Sequence, residues 1–318
     1  MTTDKFGFIL SYTSDPLWHN EWHVRKGGIS MNLPSYVYLI LSMASSASMA
    51  LMLRMLSSSE NNRYGMLLGN YLTCTVIGFL LLENKSLILS AKPATYLCGL
   101  AGGILFVVSL VCMQTSINKS GAILTSAFSK LGLLVPLCVS ILFFHETPGV
   151  IQTIGLALVL MAVWIFSGSK NENQSVRSFN LPFLLVVLFT NGMADGMAKI
   201  YNVYGVRSED SLYVFFVFLS AAFLTLFLLI QEGIRTNKKT SLKDLAAGIL
   251  VGIPNYFSSV LLLKALDGIP AFIVYPVFSS GTIVIVTLVS LLLFGEYLNK
   301  RQLAGLAMIL VSIVLLNL

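Results

Sequence analysis

Apolar positions along this chain are grouped into long runs that short polar segments separate. Each run has about 20 residues, the length at which an α-helix crosses the hydrocarbon core of a bilayer. The runs show no alternation of period two, which the strands of a membrane β-barrel would need. The pattern therefore predicts an all-α integral membrane protein with ten transmembrane helices, numbered here as spans 1 to 10 and covering 34–53, 64–82, 94–116, 121–144, 149–167, 181–203, 212–231, 244–265, 270–294 and 301–318.

The composition supports this prediction. Of the 318 residues, 56% are hydrophobic and 11% are charged, whereas soluble domains carry about 25% charged residues. The net charge of +6 does not indicate nucleic-acid binding, because the basic residues lie mainly in short loops between the runs. The cysteines are scattered within apolar runs without metal-ligand spacing, so we interpret them as packing residues and expect no metal site.

Residues 1–30 differ from the rest of the chain. They are polar and aromatic and lack the apolar core of a secretory signal. His19 and His23 have a spacing that suits two metal ligands on one helix face, but an interfacial or disordered tail is the favoured interpretation. A further hypothesis is that Met31 is the natural start, since Lys26-Gly27-Gly28 can be encoded by a ribosome-binding sequence. The predicted organisation is thus a tail (1–30), a first unit (31–168), a linker (169–180) and a second unit (181–318).

The two units resemble each other in sequence. Residues 99–168 align with 249–318 at a constant offset of 150, and the first spans align at an offset of 148, where "NLP" at 32–34 matches "NLP" at 180–182. Each unit holds five spans, so the second unit must enter the membrane from the opposite side. This predicts two inverted five-helix repeats, an architecture of secondary transporters. The matched pairs include Phe128/Phe278, Ser129/Ser279, Ser140/Ser290, Phe144/Phe294, Glu146/Glu296, Gln152/Gln302 and Gly155/Gly305.

Small residues recur four apart in spans 1, 3, 6 and 8, which are equivalent pairs of the repeat. This spacing lets membrane helices approach closely, so we predict helix-packing faces. The pairs are Ala44/Ser48, Gly99/Gly103, Gly192/Gly196 and Gly248/Gly252.

A doubled motif carries a family resemblance. "LFFHETPGVIQTIGLAL" and "LLFGEYLNKRQLAGLAM" each run from an apolar helix through Glu, a short turn and Gln into a Gly-containing apolar helix. With "SINKSGAILTSAFS" and "ALDGIPAFIVYPVFS" before them, they resemble the drug/metabolite transporter superfamily, and within it the EamA group, over residues 31–318. The resemblance implies alternating-access transport of metabolites, amino acids or drugs through a cavity lined by spans 1, 3, 4, 6, 8 and 9. Span 9 has prolines only at 270 and 276, so we expect the hinge that the resemblance implies for this helix to lie elsewhere.

Glu146 and Glu296 occupy equivalent helix ends. We predict that each caps the following helix and anchors the turn before it.

Ionisable side chains also fall inside the spans, where a charge at the bilayer centre costs about 2.5–3.5 kcal/mol on insertion scales. They are Lys130, Asp195, Lys199 and Lys264. Lys199 and Lys264 are near span ends and are predicted to extend toward the interface. The simplest interpretation of Asp195 and Lys199 is a local ion pair, because they are four residues apart in the favourable acid-first order.

A functional interpretation competes with the local pair. The first repeat has Ala47 and Leu51 at the positions of Asp195 and Lys199 and, conversely, the second has Ser280 at the position of Lys130. A substrate site is free to break the symmetry of the repeat, and an excess of lysines would suit a carboxylate or phosphate substrate. Asp195 is also a candidate for proton coupling, because burial and a neighbouring amine both act on its protonation.

Uncharged polar residues of the inner spans complete the candidate substrate site. The alternative for each is a hydrogen bond to its own helix backbone. They are Asn191, Tyr275, Ser279, Thr125, Gln114 and Asn255.

The sequence thus favours a secondary transporter for a small polar metabolite (amino acid, organic anion or similar) or a drug, with a channel or membrane scaffold as the alternative. No phosphate-binding loop or catalytic motif occurs, so we expect neither an enzyme nor a cofactor. We expect a monomer or homodimer in the bacterial cytoplasmic membrane. Basic residues are more numerous in the loops opposite the termini, which favours external termini, although relatives commonly have cytoplasmic ones.

Overall fold

A computed structural model describes residues 33–56, 62–82, 84–120, 122–167, 181–236, 240–294 and 300–318. Regular structure within these ranges is entirely helical, which confirms the all-α prediction. The N-terminal tail with His19, His23 and Met31, the linker 169–180, and Glu296 lie outside the described residues.

Helices occupy the positions of the predicted spans. Short 3-10 helices at Lys85–Leu89 and Arg207–Glu209 lie in two of the connections. The α-helices are α1 (Leu33–Leu56), α2 (Arg63–Leu80), α3 (Pro93–Ser120), α4 (Ala122–Leu131), α5 (Leu134–Phe143), α6 (Val150–Ser167), α7 (Leu181–Tyr204), α8 (Asp210–Thr236), α9 (Leu242–Leu266), α10 (Ala271–Phe294) and α11 (Lys300–Leu316).

Six of the described helices are long and apolar enough to cross a membrane, judged by length and composition. They are α1, α3, α7, α8, α9 and α10. Large apolar side chains are exposed along these helices, for example Phe223 on α8 and Leu292 on α10. Such an exterior suits lipid rather than water, so the chain is a membrane protein.

Span 4 is divided, contrary to the prediction of one continuous helix over 121–144. The break lies at Gly132 and Leu133, between α4 and α5. Proline lacks an N–H group, and its ring clashes with the carbonyl of the residue four positions earlier. For Pro136 that residue is Gly132, which explains the position of the break.

Polar caps fix two of the helix starts. The Asn62 side chain accepts hydrogen bonds from the backbone N–H groups of Tyr64 and Gly65, at the first turn of α2. Ser241 and Asp244 form a reciprocal capping box at the start of α9.

The helices pack in a few extensive pairs. α2 packs against α8 and α9, α3 packs against α7 and α8, and α6 packs against α11. α7 also contacts α4 and α5, and α5 contacts α10. α1 joins α9 through a reciprocal pair of hydrogen bonds, in which the hydroxyls of Ser42 and Ser258 each donate to the other residue's carbonyl.

Glycines make the tightest of these contacts possible. A Cβ atom added to Gly248 on α9 would lie only 2.8 Å from the backbone nitrogen of Asn70 on α2, and one added to Gly252 would lie 2.7 Å from Cβ of Thr73. Gly99 and Gly103 on α3 face α8 in the same way. These glycines therefore lie where two backbones approach each other closely.

Two of the predicted packing pairs behave differently. Gly192 is pressed against Gly132 and Val135, but a Cβ atom at Gly196 would lie 3.7 Å from Pro136, an ordinary contact. Ala44 and Ser48 on α1 are exposed, and the Ser48 hydroxyl bonds the Ala44 carbonyl. The small-residue spacing of α1 therefore forms no tight interface with the described helices.

Candidate functional site

Asp195 of α7 and Lys130 of α4 lie inside the helix bundle, and protein atoms surround both side chains densely. Both nevertheless retain a large accessible surface. We interpret this combination of accessibility and dense surroundings as a cavity inside the bundle, which both side chains face. The two opposite charges interact electrostatically, yet within the described residues neither has a hydrogen bond or an ion pair.

The predicted Asp195–Lys199 ion pair is wrong. The Lys199 amine donates instead to Oε1 of Glu146, with 2.6 Å between Nζ and the oxygen. Both side chains are largely buried, with 5% of Lys199 and 14% of Glu146 exposed. Lys199 therefore does not extend to the interface as predicted, because a carboxylate from α5's end supplies a buried partner.

Glu146 binds three structural elements at once. Its Oε1 accepts from Lys199 on α7, while Oε2 accepts from the backbone N–H of Ala271, the first residue of α10, at 2.9 Å. Oε2 also accepts from the Ser140 hydroxyl on α5. The prediction that Glu146 caps the following helix needs correction, since it caps α10, a helix of the second half.

The turn that presents Glu146 has an unusual backbone. His145 has a φ of 52°, in the left-handed region that side chains other than glycine rarely adopt. The Glu146 N–H then bonds back to the Ser140 carbonyl, at 3.2 Å. A β-carbon in the left-handed region costs roughly 1–2 kcal/mol, so the contacts of Glu146 hold the turn in a strained form.

The charge balance of the interior differs from the sequence expectation. Glu146 neutralises Lys199, and Lys264 is exposed with Nζ 5.6 Å from the centre of the Tyr38 ring. One accessible amine, Lys130, and one accessible carboxylate, Asp195, remain in the cavity. The predicted positive excess is therefore absent from the described interior.

The uncharged candidate residues divide into two groups. Four have hydrogen bonds within the protein: Asn191 donates to the Val187 carbonyl, Tyr275 to the Asp195 carbonyl, Thr125 bonds with Ser116, and Asn255 donates to Asn70. Gln114 and Ser279 are half-buried and have no hydrogen bond among the described residues. These last two remain available to a ligand. Of the first four, Asn191 bonds its own helix, and the other three each join two helices.

Asn70 is a polar residue of the interior that the sequence did not single out. Its side chain is buried on α2, accepts from Asn255 on α9 and lies 3.6 Å from the Cys74 sulfur. An asparagine within an apolar run is the signal that identifies such a residue.

A second polar cluster lies near the C-terminal end of α7. The Asn202 amide donates to Asp267 at 2.8 Å, and Arg207 pairs with the same carboxylate at 3.7 Å. Arg207 is 66% exposed, so this pair lies at the surface of the bundle end that also carries Glu146.

Three comparisons place the chain among known proteins. Residues 182–318 match the model of the EamA-like transporter family. An uncharacterized protein of Haemophilus influenzae is 25% identical over 210 residues, covering 65% of this chain and 70% of that protein.

A solved crystal structure shares the fold, with a TM-score of 0.68 and 13% sequence identity over 88% of this chain and 95% of the other. At that identity the likeness concerns the fold alone. The family match confirms the EamA resemblance for residues 182–318, which include the second copy of the Glu–turn–Gln motif. The chain is thus a membrane protein whose second half, residues 182–318, matches the EamA-like transporter family.

Proposed function

We propose that this protein is a secondary transporter that moves a small polar metabolite across the membrane by alternating access. The observation that carries the proposal is that Lys130 and Asp195 interact electrostatically inside the bundle, each accessible and without a bonded partner in the described structure. Charges at this depth are costly unless water or a ligand solvates them. A carrier that binds a charged solute at its centre uses such groups directly.

The proposed architecture is ten spans in two inverted repeats, residues 31–168 and 181–318. Helix pairing supports it, because α2 (span 2) packs on α9 (span 8) as α3 (span 3) packs on α8 (span 7). Exchanging the two repeats converts the first pair into the second. Glycines line both interfaces, Gly248 and Gly252 in one and Gly99 and Gly103 in the other.

The charge balance of the cavity narrows the substrate class. One amine and one carboxylate suit a solute that carries both signs, since Lys130 would bind its anionic group and Asp195 its cationic group. Gln114 and Ser279 would add hydrogen bonds. Proton coupling through Asp195 is a further part of the proposal, because a carboxylate that is exposed to the cavity can exchange a proton during each cycle.

The proposed setting is the bacterial cytoplasmic membrane, where the protein would work as a monomer or homodimer without an enzymatic step. Its partners would be the solute, protons and the surrounding lipid.

The test is a thermal-shift screen of purified protein, followed by counterflow in proteoliposomes. Probes are zwitterionic amino acids, dicarboxylates, sugars and organic cations. We expect a zwitterion to stabilise the protein and to show saturable counterflow. Lys130→Met should lose both effects, and Asp195→Asn should weaken both. Lys243→Met, which removes an exposed lysine from the first turn of α9, is the matched control.

Other outcomes would overturn the proposal. Flux that does not saturate and shows no counterflow would indicate a channel. The absence of any flux or stabilisation for all probes would indicate a membrane scaffold.

A further inference from the structure

Lys199 and Ala271 are bound to the same carboxylate, that of Glu146, at one end of the helix bundle. We call this end, with residues 145–149, 205–209 and 267–270, the Glu146 face. Here the C-terminal end of α5, the last turns of α7 and the first residue of α10 meet on one side chain. A contact that joins three helix ends restrains all of them together.

A second contact between α7 and α10 lies deeper in the bundle. The Tyr275 hydroxyl donates to the Asp195 carbonyl, with 2.9 Å between the oxygens. Tyr275 is one helical turn beyond Ala271, and Asp195 is one turn before Lys199. The two contacts therefore close a ring of residues. It runs from Glu146 to Lys199 and along α7 to Asp195, then across to Tyr275 and along α10 to Ala271, which bonds Glu146 again.

We infer that the Glu146–Lys199 pair is a latch that closes the Glu146 face of the cavity, and that its release opens this face during transport. The inference rests on the proposed transport function and adds the residues that set the direction of opening. Asp195, in the cavity, and Lys199, in the latch, share one helix, so a solute that displaces α7 at Asp195 also acts on the latch.

The latch has no charged counterpart in the first repeat. Leu51 stands at the position equivalent to Lys199, although Glu296 and Ser290 match Glu146 and Ser140. Because Leu51 carries no charge, closure of the opposite face lacks this ion pair. The two repeats therefore differ in sequence at the position that supplies the cation of the latch.

The test is the accessibility of a cysteine placed one helical turn beyond Tyr275, the residue of α10 that contacts Asp195. Ser279→Cys, on half-buried Ser279 of α10, is introduced into a full-length protein whose four cysteines are replaced by alanine. A membrane-impermeant maleimide is then added from the Glu146 face. We expect Lys199→Met and Glu146→Gln each to raise the labelling rate at least threefold, and the double variant to add little to either.

Matched variants separate the latch from a general loss of structure. Glu146→Gln keeps an acceptor for the Ala271 N–H, so it removes the charge and leaves the helix cap. Arg207→Met breaks the exposed pair with Asp267 on the same face and should leave the labelling rate within about 1.5-fold of the parent. Ser140→Ala keeps both charges and loses one hydrogen bond to Glu146, so we expect a smaller increase in labelling. It supplies the test if the charge variants do not fold.

The outcomes distinguish the latch from the transport function. Parental labelling rates in Ser140→Ala and in every folded charge variant would overturn the latch, as would an equal increase in Arg207→Met. Counterflow that persists in that case would leave the transporter proposal standing. Raised labelling without transport of any probe would support a hinged closure and count against a carrier.

Discussion

The amine of Lys199 lies 2.6 Å from the Glu146 carboxylate, although Asp195 is only one helical turn away from it on the same helix. The Asp195 side chain is accessible in the cavity, whereas the left-handed turn at His145 brings the longer Glu146 side chain between α7 and α10. A distant residue thus replaces the local partner, and Asp195 stays available for a ligand.

Removing one member of the buried pair should strongly destabilise the protein. Lys199→Met leaves the Glu146 charge without its cation, and Glu146→Gln leaves the Lys199 charge without its anion. Each change should cost about 3–5 kcal/mol. The double variant should cost clearly less than the sum of the two. Thermal unfolding in detergent, followed by fluorescence-detected gel filtration, measures the order of stability.

Arg207→Met is the control for this cycle, because its exposed pair should contribute no more than about 1 kcal/mol. Additive losses from Lys199→Met and Glu146→Gln would show that the two side chains are not coupled.

An added methyl group at the α2–α9 interface should lower the stability of the protein, whereas the same addition at a less crowded helix position should not. Gly248→Ala places Cβ against the backbone of Met66 and Asn70, so we expect a loss of about 1–3 kcal/mol or failure to insert. Gly196→Ala, where the new atom meets Pro136 at 3.7 Å, should be close to neutral. Melting temperatures of the two variants provide the comparison, and equal values would contradict a close approach of α2 and α9.

Asp195→Asn should separate proton coupling from substrate exchange. Asparagine keeps the shape of the side chain but carries no exchangeable charge, so a pH gradient should no longer drive accumulation of the solute. Counterflow at equal pH should remain measurable, though with weaker binding of a cationic group. Uptake under an imposed pH gradient measures the effect, and full gradient-driven uptake in Asp195→Asn would rule out coupling through this residue.

The C-terminus should lie outside the cell if the loop charges set the orientation. Leu315 and Leu316 pack near Gly155 at the start of α6, so the C-terminus and the Glu146 face share one side of the bundle. A C-terminal alkaline phosphatase fusion, active only outside the cytoplasm, should therefore be active, and a fluorescent-protein fusion that matures only inside should be dark. The opposite result would place the C-terminus and the Glu146 face in the cytoplasm.

Helix positions could be predicted from the sequence because apolar runs of bilayer length are a strong and local signal. Pro136 also offered a signal for the break in span 4, because its ring disfavours a helical carbonyl at Gly132, four residues earlier. A continuous apolar run nevertheless favoured one helix, because hydropathy averages over the proline.

The partner of Lys199 could not be predicted in the same way. Glu146 is 53 positions away, and a local rule for residues four apart gave a plausible alternative. Only the packing of α5 against α7 and α10 brings the two side chains together. The doubled Glu motif indicated that Glu146 has a role. The signal for its partner was the difference between the repeats, which have Leu51 in one and Lys199 in the other.

Unequal closures have a kinetic consequence for a carrier. If breaking the Glu146–Lys199 pair is required only for opening one side, the empty protein spends more time open to the other side, and the two half-saturation concentrations differ. The ratio of net fluxes at a given gradient is still fixed by thermodynamics, so this asymmetry cannot by itself concentrate a solute. It sets instead the solute concentrations at which transport in each direction is half-saturated. Exchanging Leu51 and Lys199 between the repeats should reverse which direction has the lower half-saturation concentration.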